Sequence, residues 1–116
     1  MKTTIWHNPK CSKSRATLAL LESHGMDPHI RLYLTDPPST STIESVLSKL
    51  GLSARGLMRK KEALYSELSL EAESLTEEEL IQAMAQNPSL IERPVVIRGA
   101  KAAIGRPPDA VLNALK

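Results

Sequence analysis

The sequence has few aromatic residues and almost no cysteine. Of its 116 residues only Trp6, Tyr33 and Tyr65 are aromatic, and phenylalanine is absent. Proteins that bind single-stranded nucleic acid usually stack bases on aromatic side chains, and no nucleic-acid motif is visible, so we expect no nucleic-acid partner. Cys11 is the single cysteine, which excludes an internal disulfide and is typical of a reducing compartment.

Long apolar runs are also missing. A membrane-spanning helix needs about 20 consecutive apolar residues, and residues 1–4 lead into a strand pattern without the apolar stretch of a signal peptide. We therefore expect a cytoplasmic protein with no membrane partner. At 116 residues and 41% hydrophobic, the chain has room for one ordinary core, which predicts a single domain over residues 1–116.

One long segment has no positive charge. Residues 62–92 contain eight acidic residues and no lysine or arginine, so the rest of the chain carries a net charge of +10 although the total is +2. Cys11 lies in the basic part. Such a field attracts small anions toward the thiol, although solvated charge on helix surfaces explains the composition about equally well.

The segment that carries the cysteine lies between a predicted strand and a predicted helix. Residues 2–6 have a strand pattern, and residues 15–23 form a helical pattern rich in alanine and leucine. At such a helix start, unpaired backbone N–H groups and the macrodipole favour a thiolate. A lone cysteine more often only packs in a core, but the basic residues around Cys11 favour a reactive thiol.

A second strand is predicted from an alternating pattern. Ile30, Leu32 and Leu34 alternate with other residues at a period of two, which predicts a strand with these three side chains on its buried face. Parallel strands joined through a helix form a right-handed crossover. The first strand, the first helix and this strand therefore predict a β-α-β unit.

Helical patterns fill the middle of the chain, and a β-hairpin and a short helix follow. Capping signals and apolar stripes indicate the helices, and short apolar runs around a glycine-containing connection indicate the hairpin. The predicted elements are a helix capped by Ser39 or Ser41 and ended by Gly51, helices over 53–59 and 62–68, a helix from the Thr76–Glu79 capping box to Gln86, hairpin strands over 95–97 and 102–104 joined by residues 98–101, and a last helix opened by Pro107–Pro108 with Val111, Leu112 and Leu115 on its inner face.

This order of elements, with the cysteine after the first strand and a proline before the third, is that of the thioredoxin fold. Motifs spread over nearly the whole chain resemble the short branch of the ArsC family of glutaredoxin-linked arsenate reductases. The resemblance implies an α/β, thioredoxin-like fold: a four-stranded mixed sheet flanked by helices, with a helical insertion. The motifs are His7-Asn8-Pro9-Xaa-Cys11-Xaa-Xaa-Ser14-Arg15, Leu32-Tyr33-Leu34 before Pro37-Pro38-Ser39, Leu57-Met58-Arg59-Lys60, Glu92-Arg93-Pro94-Val95-Val96 and Gly105-Arg106-Pro107.

The resemblance also implies a reaction. In that family a cysteine thiolate attacks arsenate, glutathione completes a mixed adduct, and glutaredoxin supplies the reducing power that releases arsenite. The implied substrate is arsenate or a similar oxyanion, with glutathione as co-substrate, glutaredoxin as protein partner, and no bound cofactor or metal. The implied residues are Cys11 as nucleophile, Arg59, Arg93 and Arg106 as oxyanion-binding residues, His7 and Ser14 as supports of the thiolate by charge and hydrogen bonding, and Pro94 as a structural cis-proline.

Ser14 separates this prediction from two alternatives. It stands where a dithiol oxidoreductase carries the second cysteine of Cys-x-x-Cys, so an external thiol must resolve an adduct on Cys11. One alternative is a non-enzymatic, Spx-like thiol-sensing adaptor, but proteins of that type usually carry the second cysteine. The other is a thiol oxidoreductase that acts on a different substrate. From the residues alone, His7 is more often a plain strand-end residue, and Arg15 a helix-surface charge.

Overall fold

The structure is a computed structural model and describes residues 2–114. The chain forms two compact units, one of Met1–Asp36 with Arg93–Lys116 and one of Pro37–Glu92. The prediction of a single domain states that the whole chain folds as one unit. A division into compact units does not test that prediction. The elements in chain order are β1 (Thr3–Trp6), α1 (Ser12–Ser23), β2 (His29–Arg31), α2 (Thr40–Leu50), α3 (Ala54–Leu57), α4 (Ala63–Glu67), α5 (Glu77–Gln86), a 3-10 turn (Pro88–Leu90), β3 (Val95–Arg98), β4 (Lys101–Ile104) and α6 (Ala110–Ala114).

The first unit contains a four-stranded mixed sheet in the order β2-β1-β3-β4. Strand β1 pairs in parallel with β2, and the β1–β3 and β3–β4 pairs are antiparallel. Trp6, the last residue of β1, lies opposite Arg31 of β2 and Val95 of β3. The sheet and its mixed pairing match the predicted fold class, and the β-α-β unit is present.

One face of the sheet forms the core of the first unit. Ile5, Val96 and Ala103 lie in one cross-strand row, because Ile5 pairs with Val96 and Val96 with Ala103. Leu21 of α1 and Val111 of α6 pack on this row, and both are fully buried. Complete burial of such aliphatic side chains contributes about 1.5–3 kcal/mol each. The apolar spacing of the two helices therefore fixes both against the same face.

The predicted buried face of the second strand is wrong. Strand β2 ends at Arg31, and Ile30, Leu32 and Leu34 are 44%, 45% and 41% exposed, whereas Tyr33 is fully buried. The chain leaves the sheet in a turn in which the Leu32 carbonyl accepts hydrogen bonds from two backbone N–H groups farther along the chain. Since β2 is an edge strand and this turn breaks the period of two, alternation does not predict which side chains are buried here.

Two element boundaries also differ from those predicted. Helix α1 begins at Ser12, three residues before the predicted start, because Cys11 itself is the N-cap. In the hairpin, Arg98 and Lys101 pair directly, so the connection has two residues and not four. Gly99 takes a left-handed conformation with φ of 60°, which tight hairpin turns require. Arg98 and Lys101 are both charged, as loop residues often are, which explains why they were predicted to belong to the connection.

The caps predicted in the second unit are confirmed. Ser39 is the N-cap of α2, where its hydroxyl accepts a hydrogen bond from the Thr42 backbone N–H at 3.2 Å. Gly51 ends α2 in a left-handed conformation with φ of 68°. Thr76 and Glu79 form the reciprocal capping box at the start of α5. These boundaries depend on interactions within a few residues of the chain, which explains why the sequence predicts them.

Beyond α3, the chain runs extended instead of continuing to residue 59 as a helix. Met58 forms an antiparallel bridge with Ile91, and the Arg59 N–H donates to the Leu90 carbonyl at 2.7 Å. Glu92 N–H likewise donates to the Leu57 carbonyl at 2.7 Å. This pairing between distant residues ends the helix early, and it holds the backbone of Arg59.

The last helix is shorter than predicted. Pro107–Pro108 was expected to open it, but α6 begins at Ala110. Val111 faces the core as predicted, Leu112 is half-buried, and Leu115 lies outside the described residues. Across residues 2–114, every helix is too short or too polar to span a lipid bilayer.

Candidate active site

Cys11 lies where the chain passes from β1 into α1. Its backbone is extended, with φ of −96° and ψ of 124°, and its N–H donates to the Asn8 carbonyl at 2.9 Å. The Asn8 side chain accepts a hydrogen bond from the Lys10 N–H at 3.0 Å, which closes the turn. Cys11 is largely buried, with 8% of its surface exposed.

The surroundings of the thiol favour its ionised form. Burial raises the pKa of Cys11, but the backbone N–H of Ser14, the Arg93 guanidinium and the backbone N–H of Lys13 lower it, and the net effect is a pKa below the usual range. Lys13 and Ser14 are the second and third residues of α1, where N–H groups lack intrahelical partners. Cys11 thus occupies the N-cap position of α1, where the N–H groups of the first helical turn favour a thiolate.

Two arginines from the β3–β4 segment reach the same sulfur. Arg93 lowers the pKa of the thiol through hydrogen bonding and charge, and Nη2 of Arg106 lies 3.7 Å from the Cys11 Sγ. The Nε of Arg106 also donates to the Arg93 carbonyl at 2.7 Å, which links the two side chains. Guanidinium groups present paired donors in one plane, the arrangement that binds tetrahedral oxyanions.

The backbone that carries these arginines is packed closely against α1. The Gly105 N–H donates to the Pro94 carbonyl at 2.9 Å, and a Cβ at Gly105 would lie 2.8 Å from Pro94 Cγ and overlap Thr17. Only glycine fits this approach. The Arg93–Pro94 peptide bond is cis, the isomer expected from the resemblance, and the Arg106–Pro107 bond is also cis, which the sequence analysis did not anticipate.

His7 and Ser14 form a buried pair beside the thiol. His7 Nδ1 lies 2.7 Å from Ser14 Oγ, and the same Oγ accepts a hydrogen bond from the Asn8 N–H at 3.0 Å. Burial lowers the pKa of His7 and the positive charge of Arg15 lowers it further, which favours the neutral imidazole. The pair holds the Asn8 turn on which Cys11 rests, and the implied support of the thiolate by His7 stays a prediction.

Arg59 belongs to the second unit, and its partners there are carboxylates. Nη1 of Arg59 lies 2.7 Å from Glu62 Oε2, and its Nε lies 3.8 Å from Glu92 Oε1. All three side chains are partly exposed. The implied oxyanion-binding role of Arg59 stays a prediction.

The charge asymmetry of the sequence follows the two units. The unit that holds Cys11 contains ten basic and four acidic residues, a net charge of +6, and the other unit carries −4. The acidic segment 62–92 lies wholly in the second unit. The thiol therefore lies within a basic unit, whose field favours the approach of anions.

One residue at the site was missed. Tyr33 is fully buried and interacts electrostatically with Arg93, although it entered the prediction from sequence only as part of a motif. The available signal was its place in the motif Leu32-Tyr33-Leu34. Among residues 2–114, no group of three or more histidine, cysteine or acidic side chains is placed to hold a metal ion.

The first prediction is that Cys11 ionises below the roughly 8.5 of an unperturbed thiol. Because the helix start and Arg93 lower its pKa, the rate of iodoacetamide alkylation should reach half of its plateau at a lower pH than for a cysteine peptide measured in parallel. An inflection at or above the value of the peptide would contradict this interpretation of the site.

Comparisons with known proteins agree with this fold. The ArsC family model matches residues 6–114. The chain is 56% identical over 110 residues to the uncharacterized protein YfgD of Escherichia coli (strain K12), covering 94% of this chain and 92% of that protein. It is 49% identical over 116 residues to the arsenate reductase of Haemophilus influenzae, covering 99% and 100%. The structure of the arsenate reductase from Vibrio cholerae superimposes with a TM-score of 0.96 at 48% identity over 98% of each chain.

These matches confirm the predicted fold class and the resemblance drawn from the sequence motifs. The family model extends over almost the whole chain, and the structural match includes both the sheet and the helices. The residues that surround the thiol lie inside the matched range. The chain belongs to the ArsC family.

Proposed function

We propose that the protein is an arsenate reductase that uses Cys11 as its nucleophile, glutathione as co-substrate and glutaredoxin as reductant. The observation that carries the proposal is the position of Arg93 and Arg106 at the Cys11 sulfur. A thiolate and an oxyanion repel each other. Their reaction therefore needs nearby positive groups that neutralise the negative charge of both. Relatives that bear the name arsenate reductase at about half identity support the choice of substrate.

The first step is an exchange of ligands on arsenic. The Cys11 thiolate attacks As(V), a sulfur–arsenic bond forms, and one arsenate oxygen leaves as water after taking up protons. Arsenic keeps its oxidation state in this step. Two kinds of donor stabilise the negative charge of the substrate and of the adduct: the N–H groups at the start of α1 and the two guanidinium groups. This electrostatic stabilisation is the contribution expected of such donors.

The second step needs external thiols, because Ser14 occupies the place of a local second cysteine. Glutathione displaces another oxygen as water and forms a second sulfur–arsenic bond. The glutaredoxin thiolate then attacks the glutathione sulfur and forms a mixed disulfide, and the electron pair of that sulfur–arsenic bond remains on arsenic, which becomes As(III). Water finally releases arsenite and restores the Cys11 thiol. These thiols require a reducing environment, so we place the reaction in the cytoplasm.

The test is reconstitution from purified components. With arsenate, glutathione and glutaredoxin all present, we expect arsenite to accumulate over many turnovers, measured by separating arsenite from arsenate. Omission of glutathione or of glutaredoxin should reduce turnover to background. Without glutathione the second sulfur–arsenic bond does not form, and without glutaredoxin no thiolate attacks the glutathione sulfur, so As(V) is not reduced.

The omissions also separate the proposal from its alternatives. Arsenite formation that continues without glutaredoxin but needs glutathione would contradict the proposed reductant and leave the nucleophile in place. No arsenite with any thiol system would contradict arsenate as substrate. Spx-like adaptors bind RNA polymerase, so recovery of RNA polymerase in a pull-down, without glutaredoxin, would favour the adaptor alternative.

A further inference from the structure

A cleft lies at the end of the sheet opposite to Cys11, which follows the last residue of β1. Thr3 opens β1, His29 opens β2 and Arg98 ends β3. Since β1 and β2 run parallel and β3 runs antiparallel to them, these three residues meet at the other end of the sheet. The length of β1 separates the two ends by roughly 10 Å. The cleft is therefore not part of the site around the thiol.

The strand ends and the loop after α1 form the walls of this cleft. Its volume is about 410 Å³, which is the size of a pocket for a small organic molecule. Thr3 and Arg98 are paired in the register, so their side chains share the face of the sheet that carries Ile5 and the core. On the loop side, Met26 packs against that core and Pro28 is buried. All lining residues belong to the first unit.

The positive charge in the cleft has no carboxylate partner. Lys2 and Arg98 both line the cleft, and within residues 2–114 neither side chain forms an ion pair or a hydrogen bond. Lys101 lies directly opposite Arg98 in the β3–β4 register and adds positive charge to this end of the sheet. Like charges that face each other across two strands are destabilising. An anion bound beside Arg98 would offset that repulsion.

Thr3 supplies a second and independent sign of a ligand. It lines the cleft and is 7% exposed. Its hydroxyl has no hydrogen-bond partner within the described residues, yet it is not shut off from solvent. Polar groups of such buried residues are normally hydrogen-bonded. The partner of this hydroxyl therefore comes from outside the chain, and the side from which it comes is the cleft.

We propose that the cleft is a binding site for a small organic phosphate, held by the Thr3 hydroxyl, the Arg98 guanidinium and the Lys2 ammonium. A phosphate monoester carries close to two negative charges near pH 7, so it matches two cations better than a single carboxylate does. The guanidinium fork binds phosphate through parallel N–H donors, and the hydroxyl adds a third donor. The volume of the cleft and its apolar wall, Met26 and Pro28, leave room for the organic part. This site does not depend on the proposed function.

The test is an NMR titration of the nitrogen-15-labelled full chain with ribose 5-phosphate. We expect the backbone N–H signals of Thr3, Gly25 and Asp27 to shift and to saturate. Ribose, which lacks the phosphate, should shift none of them, and inorganic phosphate should bind more weakly because it leaves the apolar wall uncovered. The absence of a saturable shift at these three signals would overturn the proposal. Equally tight binding of ribose or of inorganic phosphate would also overturn it.

Substitutions in the cleft should move the dissociation constant in opposite directions. Arg98→Ala should raise it about tenfold, and Thr3→Val, which keeps the branched shape, about threefold. Asp27 is the one acidic residue among those that line the cleft, and its carboxylate repels an anion. Asp27→Asn should therefore lower the dissociation constant about twofold. If Thr3→Val does not fold, the other two variants still decide, because both of those side chains are at least partly exposed.

Lys61→Ala is the matched control for lost charge. Lys61 is exposed and belongs to the second unit, so its removal lowers the net charge as Arg98→Ala does but leaves the cleft intact. It should not change the dissociation constant. Equal weakening by Lys61→Ala and Arg98→Ala would overturn the proposal, since a general field would then explain the binding. An Arg98→Ala variant that binds like the parent would overturn it too.

The signal of Ser14 separates the cleft from the thiol site in the same titration. Ser14 lies beside Cys11 in α1, so its backbone N–H reports anion binding at the thiol with a dissociation constant of its own. That value should be the same in the parent and in the Arg98→Ala and Asp27→Asn variants. A parallel change at Ser14 and at Gly25 would overturn the assignment of the binding to the cleft.

Discussion

Cys11→Ser is expected to abolish arsenate reduction while the fold remains intact. Serine has nearly the size of cysteine, but its hydroxyl stays protonated near pH 7 and cannot form the sulfur–arsenic bond. Loss of a catalytic nucleophile costs other enzymes roughly 10⁶-fold in rate, so arsenite formation should fall to the level of the reaction without protein. The measurement is the reconstituted assay with arsenate, glutathione and glutaredoxin.

Ser12→Ala provides the matched control for this variant. Ser12 is the next residue, opens α1 and is exposed, so its replacement changes the same helix start without touching the thiol. It should retain nearly full activity. Thermal unfolding of both variants should resemble that of the parent. If Cys11→Ser were as active as Ser12→Ala, a different group would be the nucleophile and the proposed mechanism would be wrong.

Arg93→Ala and Arg106→Ala are each expected to weaken oxyanion binding and arsenate reduction by about 10- to 150-fold. Each removes a charged hydrogen-bonding group at the thiol, and such a group contributes about 1.5–3 kcal/mol when fully engaged. The measurements are the protection of Cys11 from alkylation by sulfate or arsenate, and the kcat/KM for arsenate. Protection should weaken as salt screens the field.

Arg98→Ala tests whether these losses reflect position or only charge. Arg98 ends β3, five residues beyond Arg93, which places it roughly 16 Å farther along the strand. Its removal lowers the charge of the same unit by the same amount. We expect little change in protection or turnover. Equal losses in all three alanine variants would mean that the general field, and not a built oxyanion site, attracts the substrate.

Replacement by lysine distinguishes charge from geometry at the site itself. Arg93→Lys and Arg106→Lys keep the positive charge but lose the planar fork, so attraction should persist while binding of the tetrahedral oxyanion weakens. Arg59→Ala in the same assay tests the third arginine implied by the resemblance. Its present partners, Glu62 and Glu92, are both acidic, so a structural effect on the second unit must be measured by thermal unfolding beside it.

The sequence predicted the features that depend on local chemistry. The Thr76–Glu79 capping box and the caps of α2 involve residues three apart or adjacent to a helix end, and they form in the structure as expected. The place of Cys11 between a strand and a helix is equally local, because the backbone N–H groups that lower its pKa belong to the next turn. The family motifs added the identity of the arginines, which spacing alone did not provide.

Features that depend on residues far apart in the chain needed the tertiary structure. Alternation predicted a buried face for Ile30, Leu32 and Leu34, yet β2 stops at Arg31 and the following turn buries Tyr33 instead. The shortened α3 likewise follows from pairing of Met58 with Ile91. A period of two or 3.6 describes which side chains share a face, but it contains no information on which elements come to cover that face.

The composition and local motifs of the sequence determined that this protein has one cysteine at a helix start, surrounded by basic residues and without a second cysteine that could resolve an adduct. Only the tertiary structure decided which charges meet the thiol. Arg93 and Arg106 are more than 80 residues from Cys11 in sequence, and the pairing of β1 with β3 and of β3 with β4 brings both to its sulfur. That contact depends on sheet register, which is set by packing across the whole unit and not by any short stretch of chain.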